Sequence, residues 1–163
     1  MMKIISALKR LNRLDLIVAI SSSFLNKTAL LRREASGTTE AEAQGDIILV
    51  YDKFFRCKLT MQKYILLHEL GHVFQNMNDI SILDLMDKNF AVFEYKFSGN
   101  AMEGFAEAFA VYLDSPNELK KRYLEQFKIM KNWVGNGAVY KKWVGKALKI
   151  LKDLPYGQLE RIK

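Results

Sequence analysis

Apolar residues recur along the chain with two different periods, and the change of period divides it. Ile4, Ile5, Leu8, Leu11 and Leu14 alternate with Lys3, Lys9, Arg10 and Arg13, the spacing of an amphipathic helix. Leu16–Ile20 is short and rich in branched residues and reads as a strand. Ala29–Glu34 fits either type of element. Ile47–Tyr51 (IILVY) is a strand, and Ser36-Gly37-Thr38-Thr39 and Gln44-Gly45-Asp46 are turn signals around it. Strand, turn-rich segment and strand predict a small twisted sheet with an exposed edge.

From Thr60 onward the period is helical. Thr60 is placed as an N-cap, and Met61, Tyr64, Ile65, Leu67, Leu70, Val73 and Phe74 supply the apolar positions. Residues 78–100 form a looser connection that ends in the break Ser98-Gly99-Asn100. Three further helices are predicted, over Ala101–Leu113, Asn117–Val134 and Ala138–Leu151. Pro116 and the Gly135-Asn136-Gly137 turn separate them. The expectation is one α+β domain over residues 1–163. Residues 1–58 give an N-terminal helix and a mostly antiparallel sheet, and 59–163 the helical remainder.

Composition adds little to that picture. Hydrophobic residues make up 50% of the 163 and charged residues 26%, ordinary globular values. Cys57 is the single cysteine, so no internal disulfide forms, which fits a cytoplasmic protein. Leu14–Ile20 is too short, and carries Asp15, for an export signal, and no run is long enough to span a membrane. A secreted or phage-associated protein is the other expectation on location. The net charge of +7 is uneven: residues 117–163 hold 12 Lys and Arg against four Asp and Glu, while residues 1–116 hold 13 against 14. A solvated lysine-rich face accounts for this. The alternative use is a patch for nucleic acid or an acidic protein.

The chemistry lies in HELGH, residues 68–72. His68 and His72 are the chain's two histidines, four apart, with a Glu directly after the first. Chance gives this pattern on the order of once in 1,300. On a helix, positions i and i+4 share a face, so both imidazoles reach one metal. A catalytic zinc takes three protein ligands and leaves a fourth position for water. With no third histidine and one cysteine, the third ligand is expected to be a carboxylate. Glu103 in EGFAE (103–107) is the choice, with Asp79, Asp84, Asp87 and Glu94 as lesser candidates. Ala106 and Ala110 allow close helix approach. Glu107, one turn on, is placed to accept a hydrogen bond from a ligand imidazole. The competing use of Glu103 is a capping box with Asn100. Gly71 costs helix stability, and it lets another element come close to a crowded site.

Glu69 is the general base of this motif: it takes a proton from the attacking water and gives it to the leaving amine. Tyr95, just before the Glu103 helix, is a candidate donor to the developing oxyanion. The metzincin extension is absent, since Gln75 and Asn78 occupy the positions of its Gly and third His.

LLHELGH (66–72), the tyrosine in the following connection and EGFAEAFAVYLDSPNELKKRY (103–123) resemble the lethal-factor-like gluzincin metallopeptidases, which include the clostridial Pro-Pro endopeptidases. The resemblance implies a zincin-like fold and a zinc ion on His68, His72 and Glu103. It also implies Glu69 as base, Tyr95 assisting, and a protein or peptide substrate. Tyr95 lies one residue further from Glu103 than that family's tyrosine usually does. A second resemblance is to the ImmA/IrrE metallopeptidases, whose ExxAxxFA helix is matched by Glu103, Ala106, Phe109 and Ala110. The expected activity is zinc-dependent endopeptidase. The alternative is a zincin-scaffold binding module that contacts an acidic partner through the basic C-terminal helices.

Overall fold

The computed structural model describes residues 23–34, 39–90 and 100–162. The predicted helix at 4–14 and strand at 16–20 lie outside them. The described chain is α+β: seven α-helices and a four-stranded mixed sheet. A 3-10 turn at Ser23–Asn26 leads into β1 (Ala29–Arg32), which resolves the ambiguous segment as strand. β2 (Ala41–Gln44) and β3 (Ile47–Val50) form a hairpin. Gly45 sits at φ +64°, at the first of the two central turn residues, where a primed turn needs positive φ. The sheet order is β2-β3-β1-β4, with β2 at one edge. β1 pairs with β3 in parallel, and the other two pairings are antiparallel.

The last strand, β4 (Leu159–Arg161), comes from the far end of the chain, so the sheet is not confined to residues 1–58. A stacked cation holds this return in place. The Arg32 guanidinium lies 4.5 Å from the Phe55 ring centroid and 4.7 Å from that of Tyr156, and it donates to the Leu154 carbonyl at 3.1 Å. The Gly157 N–H donates to the Arg32 carbonyl.

A short helix α1 (Asp52–Arg56) leads into α2 (Leu59–Met77). The helix starts before Thr60, which is therefore inside it and not the N-cap. Gln62 Nε2 donates to the carbonyls of Phe54 and Cys57, tying the start of α2 to the end of α1. At 19 residues α2 is about 28 Å long and crosses the whole domain. The connection after it contains α3 (Ile82–Asp87), started by a capping box between Ser81 and Asp84.

α4 (Ala101–Asp114) packs against α2 and buries ten of its 14 residues. The predicted helix 117–134 is two helices, α5 (Pro116–Arg122) and α6 (Leu124–Trp133), with Tyr123 outside helical geometry between them at φ −140° and ψ 65°. Both halves pack on α4, and Leu119 of the first and Met130 of the second are fully buried. α7 (Ala138–Asp153) closes the bundle. The core is aromatic. Phe74 of α2 stacks on Phe105 and meets Phe109 at 5.5 Å, and Phe109 meets Tyr140 edge-on at 5.3 Å. These rings lock α2, α4 and α7 into one body.

Candidate metal centre

Tyr64, His68 and His72 form one stripe along α2, each a turn from the next. α4 faces that stripe with Glu107 and Glu103. The approach is close because Gly71 opposes Ala106: a Cβ on Gly71 would lie 2.7 Å from the Ala106 Cα. The closeness expected from Gly71 and Ala106 is therefore present, and it is backbone against backbone.

At this spacing Glu103, with a short reach from the first turn of α4, meets both rings. Its Oε2 lies 3.1 Å from His68 Nε2 and its Oε1 lies 3.2 Å from His72 Nε2. The two rings stand edge-to-face at 5.0 Å. Asn100 does cap the helix, accepting from the N–H groups of Met102 and Glu103 at 2.9 and 3.1 Å. The cap uses Glu103's main chain, and its carboxylate goes to the histidines and not back to Asn100, so the N-cap expected at Asn100 is present without the reciprocal half of the capping box.

His68, His72 and Glu103 could hold a metal ion, with ligand atoms all within 4.8 Å of one another. The donor set is two imidazole nitrogens and a carboxylate. Bonds of about 2.0–2.1 Å in tetrahedral array put neighbouring ligand atoms about 3.3 Å apart, close to the 3.1 and 3.2 Å between the Glu103 oxygens and the two imidazoles. The residues fit a small four-coordinate cation. Among the described residues no other such group occurs, so Asp79, Asp84 and Asp87 are not brought to the site. Asp84 is the N3 partner of the N-cap Ser81 in the capping box of α3. Glu94 and Tyr95 lie outside the described residues.

The electrostatics divide the two carboxylates. Hydrogen bonds from His68, then His72, hold Glu103 well below the usual carboxylate range, against the opposing effect of burial. Glu69 is 7% exposed. Burial pushes it up to about 8; the nearby Glu103 adds to the rise, and His72 and a hydrogen bond from the Ala43 N–H oppose it. For His72 burial acts downward, but the hydrogen bond to Glu103 and the charges of Glu69 and Glu103 outweigh it and raise its pKa. Glu107 is fully buried and accepts from the Tyr64 hydroxyl at 3.4 Å, a link between α2 and α4 one turn from the metal group.

The site opens into a cleft of about 510 Å³ between β2, α2 and the first turn of α4, where the metal group and Glu69 are joined by Ile65, Gln75, Asn76 and Met102. Glu40 accepts from the Tyr51 N–H of the β3 side, so main-chain groups of residues 40, 42 and 44 turn toward β3. Those of Ala41 and Ala43 turn away from the sheet, and the Ala43 N–H reaches Glu69. Sequence reasoning did not find this contact, because nothing in AEAQ marks it as a wall of the site. Comparison of the chain with protein-family models, with curated proteins and with solved structures returned no match.

Proposed function

We propose that the chain is a zinc-dependent endopeptidase with a zincin-like fold and a glutamate as third ligand. One observation carries the reading: Glu103 joins His68 and His72 through its two oxygens while Glu69 lies buried beside them at the head of an open cleft. The resemblance of the HELGH and EGFAE blocks to lethal-factor-like and ImmA/IrrE peptidases supports the same metal and the same reaction.

Zinc bound by His68, His72 and Glu103 supplies a Lewis acid and lowers the pKa of water to near 7. The protein's own groups do the rest. Glu69 accepts the proton of the attacking water and delivers it to the leaving amine. The Ala43 N–H holds that carboxyl toward the cleft. The outer edge of β2, unpaired among the described residues, offers an extended peptide main-chain groups to pair with, beside the metal group.

The test combines metal analysis with unbiased peptide-library cleavage. The purified protein is expected to carry one zinc, lost in His68→Ala, and to cleave peptides in a manner lost in Glu69→Gln with zinc retained. Absence of zinc from the wild type overturns the reading. A second reading has its own observation: α7 exposes Lys141, Lys142, Lys149 and Lys152 along one side. That face suits an acidic partner of a binding module. A partner phenotype that survives Glu69→Gln favours it.

A further inference from the structure

Gln75 stands one turn beyond His72 on α2, and its side chain lines the cleft. The residue is 4% exposed, and its Oε1 is buried with no hydrogen-bond partner. Native structures rarely leave a side-chain amide in this state, because the lost hydration is not replaced. A Met at 75 would bury a side chain of similar length there with no polar penalty. A carboxamide in that place is explained by a donor that arrives with the ligand.

The chemistry of the cleft identifies the donor. An amide oxygen accepts from N–H or O–H. One wall of the cleft is the outward main chain of Ala41 and Ala43, and the other is α2. A peptide extended against β2 turns alternate main-chain N–H groups toward that strand and the others toward α2. Three residues of helix advance about 4.5 Å and one residue of strand about 3.3 Å. A peptide N–H meeting Gln75 therefore lies within one or two residues of the bond at the metal group.

We propose that Gln75 is a substrate-binding residue that accepts a main-chain N–H of the bound peptide through Oε1, and so selects an extended chain with a free N–H at that position. This rests on the endopeptidase reading. Proline or an N-methylated residue there is disfavoured, since neither has the N–H.

The experiment takes a library peptide that the wild type cleaves and methylates its amide nitrogens one at a time. Dissociation constants are measured by fluorescence anisotropy on zinc-loaded Glu69→Gln protein, with Gln75 and with Gln75→Met. One methylation is expected to weaken binding about tenfold when Gln75 is present and less than twofold with Gln75→Met, a coupling typical of a lost buried hydrogen bond. In the hydrolysing protein, Gln75→Met is expected to raise KM and leave kcat within about twofold. It is also expected to keep the zinc and melt no lower than wild type, because an unpaired polar group has been removed. Equal methylation penalties with and without Gln75 overturn the proposal. A lower melting temperature with loss of zinc also overturns it, since Gln75 would then be holding the fold. If the wild type binds zinc but cleaves and binds no peptide, the endopeptidase reading itself has failed and the role of Gln75 falls with it.

Discussion

The two sides of α2 are built for opposite purposes. Toward α4 there is no spare room: Gly71 meets the Ala106 backbone, Phe74 stacks on Phe105, and buried Tyr64 and Glu107 close the seam. Toward β2 the same helix borders an open cleft, where Glu69 is held by one main-chain N–H and Gln75 Oε1 has no partner. The packed side fixes where three ligand atoms sit. The open side carries the polar groups whose satisfaction has been left to something else. A helix that bears candidate metal ligands on one face thus places a packed residue and a cleft-lining carboxylate one position apart, as with His68 and Glu69.

The sharpest way to break the comparison is to change one residue on each side. On the open side, Glu69→Gln keeps the shape of the carboxyl and removes its ability to take a proton. It is expected to lower kcat about 10²–10⁴-fold with zinc content and melting temperature unchanged, the usual contribution of a general base. Steady-state kinetics and metal analysis on one preparation check it, and a kcat within threefold of wild type would remove Glu69 from the reaction. On the packed side, Gly71→Ala puts a methyl against the backbone of α4, which no rotamer can relieve. The expected cost is about 1–3 kcal/mol of stability, typical of overpacking. Zinc affinity is expected to fall with it, because Glu103 is drawn away from the imidazoles. Denaturant unfolding and zinc titration of the variant check both parts.

How far the molecule could be read from its sequence follows the same division. The metal group was legible because helix geometry alone puts His68 and His72 on one face. Gly71, Ala106 and Ala110 then announced a close helix crossing that brings Glu103 into reach. The sheet was less legible. Ala29–Glu34 has apolar and charged residues that satisfy either period, and pairing with β3 and β4 decides for strand. β4 is three residues with two exposed, too short to signal itself. The bend at Tyr123 is invisible in a stripe that runs on unbroken through Leu119, Tyr123, Phe127 and Met130; packing on α4 imposes it. The capping box at Ser81 and Asp84 was readable, but Asp84 counted first as a spare carboxylate. The wall formed by β2 was not readable at all, since it consists of main-chain groups.

Protonation sharpens the contrast further in the metal-free protein. Glu69 is raised from 4.5 to about 8 in the fold, so its contribution to stability is complete below about pH 4.5 and is lost as pH rises to about 8. The raised pKa of His72 acts in the same direction, with stability present below 6.5 and lost above its folded value. Glu103 has the opposite sign: its lowered pKa gives stability above about pH 4.5 that is lost as pH falls. Melting temperature in EDTA is therefore expected to peak near pH 4.5 and to fall as pH rises toward 8. Glu69→Gln is expected to flatten the alkaline limb while leaving the acid limb intact. A melting temperature that climbs steadily from pH 5 to 9 contradicts these assignments. Zinc affinity is expected to rise over the same range as His72 loses its proton.

The smallest expected effect tests whether the cap and the ligand at the start of α4 are separable. Asn100 supplies Oδ1 to two N–H groups, and Glu103 sends its carboxylate the other way, to the histidines. Asn100→Ala removes the acceptor and leaves the ligand, so the expected loss is about 1 kcal/mol of stability, the ordinary value of an N-cap. Asn100→Asp keeps an acceptor in place and is expected to restore it. If the two uses are independent, both variants keep the wild-type zinc affinity, because aromatic packing along α4 and the Gly71 contact still position Glu103. If Asn100→Ala weakens zinc tenfold or more and Asn100→Asp recovers it, the cap is part of the metal centre. The rigid side of α2 then begins at the first turn of α4 and not at the Gly71 crossing.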